Sequence, residues 1–172
     1  TLAAGVAALT LACGVVDAAL WRQPPFGDAP RIAIITSSRT VAGRAPSRER
    51  WSYPRISMLR NDVKSFEWIA NFSTTTLNLS GGGDPEPVPG EIVSPEYFPL
   101  LRAAPLRGRA IAATDEDVRG GRAVAVIGFD LWRRRFAATP SILGRTIAVN
   151  GAPVTVIGAM PRGFRGLTDR DR

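Results

Sequence analysis

The sequence predicts an α+β domain that follows a single membrane helix. Three observations predict it. Residues Thr1 to Trp21 carry one charge, Asp17, in an otherwise apolar or small-residue run. Behind that run, short strand patterns and short helix patterns intermix without a repeating βαβ unit, which favours α+β. Asn150-Gly151 also stands between two alternating apolar stretches, a strong local hairpin signal.

The first run is just long enough to span. A helix needs roughly 20 apolar residues to cross the hydrocarbon core. Small residues such as Ala4, Gly5, Ala8 and Gly14 suit close helix–helix contact in a bilayer. Trp21 and Arg22 follow at once and suit the far interface. Asp17 is costly in lipid, but it lies one turn from the end and reaches the interface or a neighbouring helix. A signal-peptide core and a buried helix of a soluble protein are the alternatives. The first lacks a clear cleavage site. The arginines that follow favour a cytoplasmic domain, but that bias is weak for long domains.

The expected organisation is a transmembrane helix at 1–21, a linker at 22–30 and a domain at 31–172. Three prolines and a glycine between Gln23 and Pro30 make the linker stiff. Ile32 to Ile35 is an apolar run suited to a buried strand. Ser37 to Arg50 is polar and basic, and reads as an exposed loop. Ser52 is placed as a helix N-cap, with Pro54 in the first turn. Ile56, Leu59, Val63 and Phe66 then recur at helical spacing, Ile69 extends the face, and the helix is expected to end near Asn71.

Thr74 to Leu79 alternates and is threonine-rich, like a half-buried strand. Gly81-Gly82-Gly83-Asp84 is turn chemistry, and Pro87 to Val93 returns as a second strand. Pro95 to Leu101 reads as a short helix packing Tyr97, Phe98 and Leu101. Pro105 to Arg109 reads as a loop. Ala123 to Ile127 is continuous and apolar, hence a buried strand. Asp130 to Phe136 is a helix with Leu131, Trp132 and Phe136 inward. Arg145 to Val149 and Val154 to Ile157 form the hairpin around Asn150-Gly151, and Pro153 confines the second strand's start to an unpaired or edge position.

Composition excludes whole classes of chemistry. The chain has 172 residues and is 45% apolar, enough for one domain with a core. It contains no histidine, which removes the commonest general base, the usual serine triad and most zinc sites. Its one cysteine, Cys13, lies in the apolar run and forms no internal disulfide. The net charge of +7 is carried by arginines scattered among acidic residues, so a solvated surface explains it better than a nucleic-acid footprint.

The remaining candidates each meet a plainer explanation. Asp115-Glu116-Asp117 are consecutive, whereas calcium loops alternate their oxygen ligands around a glycine turn. A solvated loop or helix start is expected there. Gly81-Gly82-Gly83 lacks the Gly-Lys-Ser/Thr continuation of a phosphate loop, so a hairpin turn is expected. Arg133-Arg134-Arg135 lies between Trp132 and Phe136 and reads as the solvent face of an amphipathic helix, with no nucleic-acid motif beside it. Lys64 is the single lysine, and no motif around it supports a Ser-Lys dyad. No catalytic, cofactor-binding or metal-binding residue is therefore assigned.

A resemblance adds to this reading. It is carried by Val93-Ser94-Pro95-Glu96-Tyr97-Phe98, Leu106-Arg107-Gly108-Arg109, and the stretch from Ala125 to Phe136. Pro140 to Ile147, Val149-Asn150-Gly151, Val154 to Gly158 and Pro161-Arg162-Gly163-Phe164 follow in order. Together these resemble the periplasmic core domain of MacB-like (FtsX/MacB-type) ABC-transporter permeases. Ser52-Tyr53-Pro54 and Ser65-Phe66 resemble the family's first helix. The step from Trp21 to Pro24 resembles the exit of its first transmembrane helix. The loop from Thr40 to Arg50 departs from the pattern.

The resemblance implies a domain with no catalytic site, cofactor or metal, on the extracytoplasmic side of the plasma (bacterial inner) membrane. It implies a separate ABC ATPase subunit or domain, a permease dimer and contact with the lipid bilayer. Its role would be to couple ATP-driven helix motion to export or extraction of a cargo. It also implies that the chain is an N-terminal fragment, with the rest of the domain and further membrane helices lying past Arg172. A single-pass membrane-anchored binding or sensor domain is the alternative.

Overall fold

The computed structural model describes residues 29–39, 43, 45, 47–49, 51–81, 83–115 and 123–167. The expected membrane helix at 1–21 and most of the linker at 22–30 lie outside the described residues. Among the described residues no helix is long and apolar enough to cross a membrane. The end of the linker enters a 3-10 turn, Ala29–Arg31.

The next segment departs from expectation. Ile32 to Ile35 forms no strand, and Ile34 and Ile35 are 51% and 45% exposed. An apolar run becomes a strand only where a neighbouring backbone completes its hydrogen bonds. That neighbour appears one step later. β1 (Ser37–Arg39) pairs antiparallel with β2 (Ser47–Glu49), so the expected loop at Ser37 to Arg50 contains a small two-stranded sheet.

Helix α1 spans Tyr53–Asp62. Ser52 occupies the N-cap and Pro54 the first turn, as expected, although the Ser52 hydroxyl makes no cap hydrogen bond. The helix stops at Asp62, well short of Asn71, and Val63 turns extended at φ −100°. Its apolar face is accordingly short. Ile56 is buried, Leu59 and Val63 are half-buried, and Phe66, beyond the end, is exposed. The Arg60 guanidinium donates to the Ile69 carbonyl at 3.1 Å, so the last turn of α1 holds the returning chain instead of continuing into it.

Among the described residues the main sheet has six strands. β3 (Phe72–Ser80) and β4 (Glu86–Val93) form the expected antiparallel hairpin, in register from Phe72↔Val93 to Leu79↔Glu86. α2 (Tyr97–Leu100) follows. β5 is the two-residue strand Arg107–Gly108, where a loop was expected. β6 (Ala123–Ile127) leads into α3 (Phe129–Phe136), and β7 (Thr146–Val149) and β8 (Ala152–Ala159) close the fold. The order is β4-β3-β7-β8-β5, with β6 lying parallel to β8 and every other pair antiparallel. The fold is therefore mixed α+β, as the sequence predicts. β6 is a strand as expected, but only Ile127 is fully buried and Ala123 is exposed.

The β7–β8 turn forms as expected. Asn150 and Gly151 both take positive φ, 51° and 80°, as a type I′ turn demands. Asn150 also extends the sheet. Its N–H donates to the Asn78 carbonyl, and its side-chain oxygen accepts from the Asn78 N–H, both at 2.8 Å. Pro153 falls just ahead of the β6 ladder, which begins at Val154, so its missing donor faces no strand among the described residues.

Strand periodicity divides the interior in two. Leu79, Val88 and Ile127 belong to one apolar cluster, with Trp132, Ile142, Ile147 and Val156. Phe72, Val93 and Val126 belong to another, with Tyr97, Phe98, Leu101, Met160 and Leu167. Along each of β3, β4 and β6 the two sets are separated by an odd number of residues. Successive side chains point to opposite faces, so the clusters lie on opposite faces of the sheet. α3 covers the first and α2 the second.

Candidate functional site

Of the residues singled out from the sequence, the glycine turn and the arginine run are the groups that meet among the described residues. Asp115 ends a 3-10 turn, Ala113–Asp115, and its carboxylate takes two hydrogen bonds from the Arg109 guanidinium at 2.6 and 2.8 Å. The Ala112 N–H adds a third at 2.9 Å. Glu116 and Asp117 lie outside the described residues. Among the described residues no group of three or more His, Cys, Asp or Glu side chains could hold a metal ion.

The Arg109 guanidinium, then the Ala112 N–H, holds the Asp115 carboxyl at about 2, well below the usual carboxylate range. A depressed carboxyl pKa stabilises the fold above its unfolded value and loses that contribution as pH falls through the folded value. Acidification from about pH 4 to about pH 2 should therefore release the 109–115 loop. Carboxyl NMR should show Asp115 titrating near the bottom of that window, and Arg109→Ala should raise it, with the Ala112 N–H still holding it below an ordinary carboxyl. An unchanged titration in the variant would remove the ion pair as the cause.

The glycine turn runs opposite to an anion cradle. A phosphate cradle presents N–H groups to its ligand. Here the Gly81 and Gly83 carbonyls accept from the Arg135 guanidinium, at 3.1 to 3.3 Å. Gly82 lies outside the described residues. Arg135 also lies 3.5 Å from a Glu86 carboxylate oxygen, and Arg134 bonds the other oxygen at 2.8 Å. The expectation that Arg133 to Arg135 lie mainly on the surface thus holds for the first two and not for Arg135. Arg133 is exposed and the Arg134 side chain is 61% exposed, but the Arg135 side chain is only 8% exposed. The signal was in the spacing: Arg135 lies three residues after Trp132, on the same helical face. Lys64 is exposed just past the end of α1.

A different feature, missed from the sequence, is the strongest candidate site. An apolar groove of about 290 Å³ is lined by Ile34, Ile35, Trp51, Phe66, Trp68 and Leu100, among others. Four of the seven exposed large hydrophobic side chains among the described residues line it: Ile34, Ile35, Phe66 and Trp68. Such clustering exceeds what singly scattered surface apolar residues produce. The Trp51 indole N–H donates to the Ile35 carbonyl at 3.2 Å and closes one wall.

Two polar clasps fix the groove. Arg60 donates to the Ser94 hydroxyl at 3.1 Å and to Glu96 at 2.7 Å, joining α1 to the β4–α2 corner. The Ser94 hydroxyl in turn accepts from the Asn71 N–H at 3.0 Å. On the other side, the buried Tyr97 hydroxyl donates to the Glu91 carboxylate. The Leu167 N–H donates to Glu91 at 2.9 Å and to the Tyr97 oxygen at 3.1 Å. Burial first, then the bond to Glu91, pushes the Tyr97 phenol far above its ordinary value, so it stays a donor. This site offers apolar surface within a rigid frame, which suits binding.

The family model described as MacB-like periplasmic core domain matches residues 1–172. Among solved structures, the chain is similar to the extracellular domain of the noncanonic ABC-type transporter YknZ from Gram-positive bacteria. The TM-score is 0.57 at 18% identity, covering 66% of this chain and 58% of that one. It is also similar to the periplasmic region of MacB from Actinobacillus actinomycetemcomitans, with TM-score 0.53, 19% identity, and 63% and 49% coverage. At such identities the likeness shows the fold. The chain spans about half the length of these solved relatives. Among curated protein sequences none matches it.

Proposed function

The chain belongs to the MacB-like periplasmic core domain family, whose members are non-catalytic domains of transporter permeases, and from that premise we propose how it works. Residues 1–21 anchor it as a transmembrane helix and residues 22–30 act as a linker. The domain at 31–172 sits on the extracytoplasmic side of the plasma membrane. It couples motion of the membrane helices, driven by a separate ABC ATPase in a permease dimer, to export or extraction of a cargo. It carries no catalytic, cofactor or metal residue of its own.

The observation that supports this reading best is the family match along the whole chain. The physical frame agrees with it. α1 is the first α-helix after the linker among the described residues, and the Arg60 bonds to Glu96 and Ser94 tie it to the sheet's corner. A displacement of the anchor can therefore pass into the sheet. The exposed groove favours a second reading, a membrane-anchored binding domain without coupled motion.

One experiment separates the two. A spin label at Ile92→Cys, in a Cys13→Ser background, reports inter-domain distances in the permease reconstituted with its ATPase. Ile92 is 65% exposed and suits labelling. Coupling predicts a distance distribution that shifts under ATP turnover. An unchanged distribution leaves only the binding reading, and nucleotide hydrolysis by this chain by itself would contradict both.

A further inference from the structure

Among the described residues, main-chain parity exposes a strand edge with unused hydrogen-bonding capacity. The Ser94 N–H donates to the Asn71 carbonyl at 2.9 Å, so Asn71 and Ser94 are a hydrogen-bonded pair in line with the β3–β4 ladder. Backbone direction alternates along a strand. Odd-numbered residues of β3 therefore bond β4, and even-numbered ones face the other way. Asn78 confirms this, since its N–H and C=O both meet Asn150 across the opposite edge. β7 covers that edge only at Leu79 and Ser80, and Asn150 covers Asn78. Thr74 and Thr76 face the same way and are exposed. Among the described residues their edge meets only the Thr75 hydroxyl, 3.5 Å from the Thr76 carbonyl.

The outer edge of β4 is built differently. By the same parity, Pro87 and Pro89 direct their donor-less nitrogens outward. Proline on an edge strand blocks pairing, a known protection against unwanted strand addition. One edge of this hairpin is thus closed by sequence, while the Phe72–Thr76 edge keeps its donors and acceptors. That edge is uncharged, and it runs into the groove through Asn71 and Phe72.

We propose that the Phe72–Thr76 edge of β3 receives a further strand, main chain to main chain, from the same permease's polypeptide outside these 172 residues. This rests on the functional reading above. The occupant is argued from length: this chain covers only 58% of the solved Gram-positive domain, so that fold contains ample chain beyond the matched part. A strand there would lie in line with β7, beyond the Asn150-Gly151 turn, and would complete the sheet beside β3.

Amide hydrogen exchange tests this with a control built into parity. In the 172-residue chain, Ser73 and Thr75 should be protected by β4, while Thr74 and Thr76 exchange freely. In the full permease, Thr74 and Thr76 should slow by about tenfold or more, with Ser73 and Thr75 little changed. Thr74→Pro removes only the outward donor, so it should spare the 172-residue chain but lower the melting temperature of the permease's domain. Free exchange of Thr74 and Thr76 in the full permease would overturn the proposal. So would concentration-dependent protection in the short chain, which assigns the edge to a second copy, or protection that needs another protein. None of these outcomes bears on ATP-coupled movement, which the spin-label experiment reads separately.

Discussion

Valine in place of Gly108 should cost the domain about 4 kcal/mol, a large share of the roughly 5 to 15 kcal/mol typical of whole domains. β5 is only two residues long, and it joins β8 through Arg107↔Ala159 and Gly108↔Gly158. Two glycines therefore face each other across the pair. A Cβ on Gly108 would fall on the Ile157 carbonyl oxygen and lie 2.9 Å from the Gly158 Cα. A Cβ on Gly158 would fall on the Arg109 carbonyl oxygen. These obstacles are backbone. They cannot swing aside without breaking the Arg109 N–H bond to Ile157, at 2.9 Å, or the Leu106 N–H bond to Ala159, at 2.8 Å. Gly108 also holds φ at 74°, a conformation β-branched residues resist. Gly151→Val is the comparison. It shares the positive φ, at 80°, but a Cβ there meets nothing within 4 Å. It should cost only about 1 kcal/mol. Denaturant unfolding followed by far-UV circular dichroism would measure both. Equal losses would show that the close approach of β5 to β8 is not what the glycine protects.

Much of the fold was legible where local chemistry and tertiary environment agree. Asn150-Gly151 demanded a type I′ turn whatever surrounds it, and the positive φ of both residues follows. Thr74 to Leu79 and Pro87 to Val93 declared a hairpin by alternation on either side of a glycine turn. Tyr97, Phe98 and Leu101 are all buried, as their spacing in a short helix requires. The departures arise where a distant partner decides. Ile32 to Ile35 has strand composition but pairs with no strand among the described residues. Phe66 and Ile69 continue the periodicity of α1, yet the Arg60 bond to the Ile69 carbonyl holds that segment as a returning chain. β5 is too short for any periodic signal, and its glycines identify it only once Gly158 is seen opposite.

The candidate site was less legible than the fold, for a related reason. Local pattern weighed against a phosphate loop at Gly81 and a calcium loop at Asp115. It had no means of bringing Ile34, Trp51 and Trp68 together, because the groove is assembled from segments far apart in sequence. Arg135 is intermediate. Its place three residues after Trp132 puts it on the inward face, but its partners, the Gly81 and Gly83 carbonyls, lie more than fifty residues away.

Alanine in place of Trp132 should cost about 3 to 5 kcal/mol. The indole is 5% exposed and packs in the cluster that includes Leu79 from β3, Ile147 from β7 and Val156 from β8. It meets Phe129 edge-on, with ring centroids 6.2 Å apart. Its N–H donates to the Thr139 carbonyl at 3.0 Å, which fixes the chain just after α3. That chain is already strained, since Ala137 and Ala138 hold φ at 49° and 52° with no glycine to relieve them. Removing the indole therefore opens a cavity and releases a turn that costs energy to hold. Trp132→Phe separates the two effects. It keeps an aromatic ring but drops the donor, and should cost about 1 to 2 kcal/mol. Arg133→Ala, on the exposed face of the same helix, should change stability by no more than about 0.5 kcal/mol. Denaturant midpoints in the order Arg133→Ala, Trp132→Phe, Trp132→Ala are expected, from most to least stable. A Trp132→Ala loss as small as that of Arg133→Ala would mean that α3 does not seal this face of the sheet.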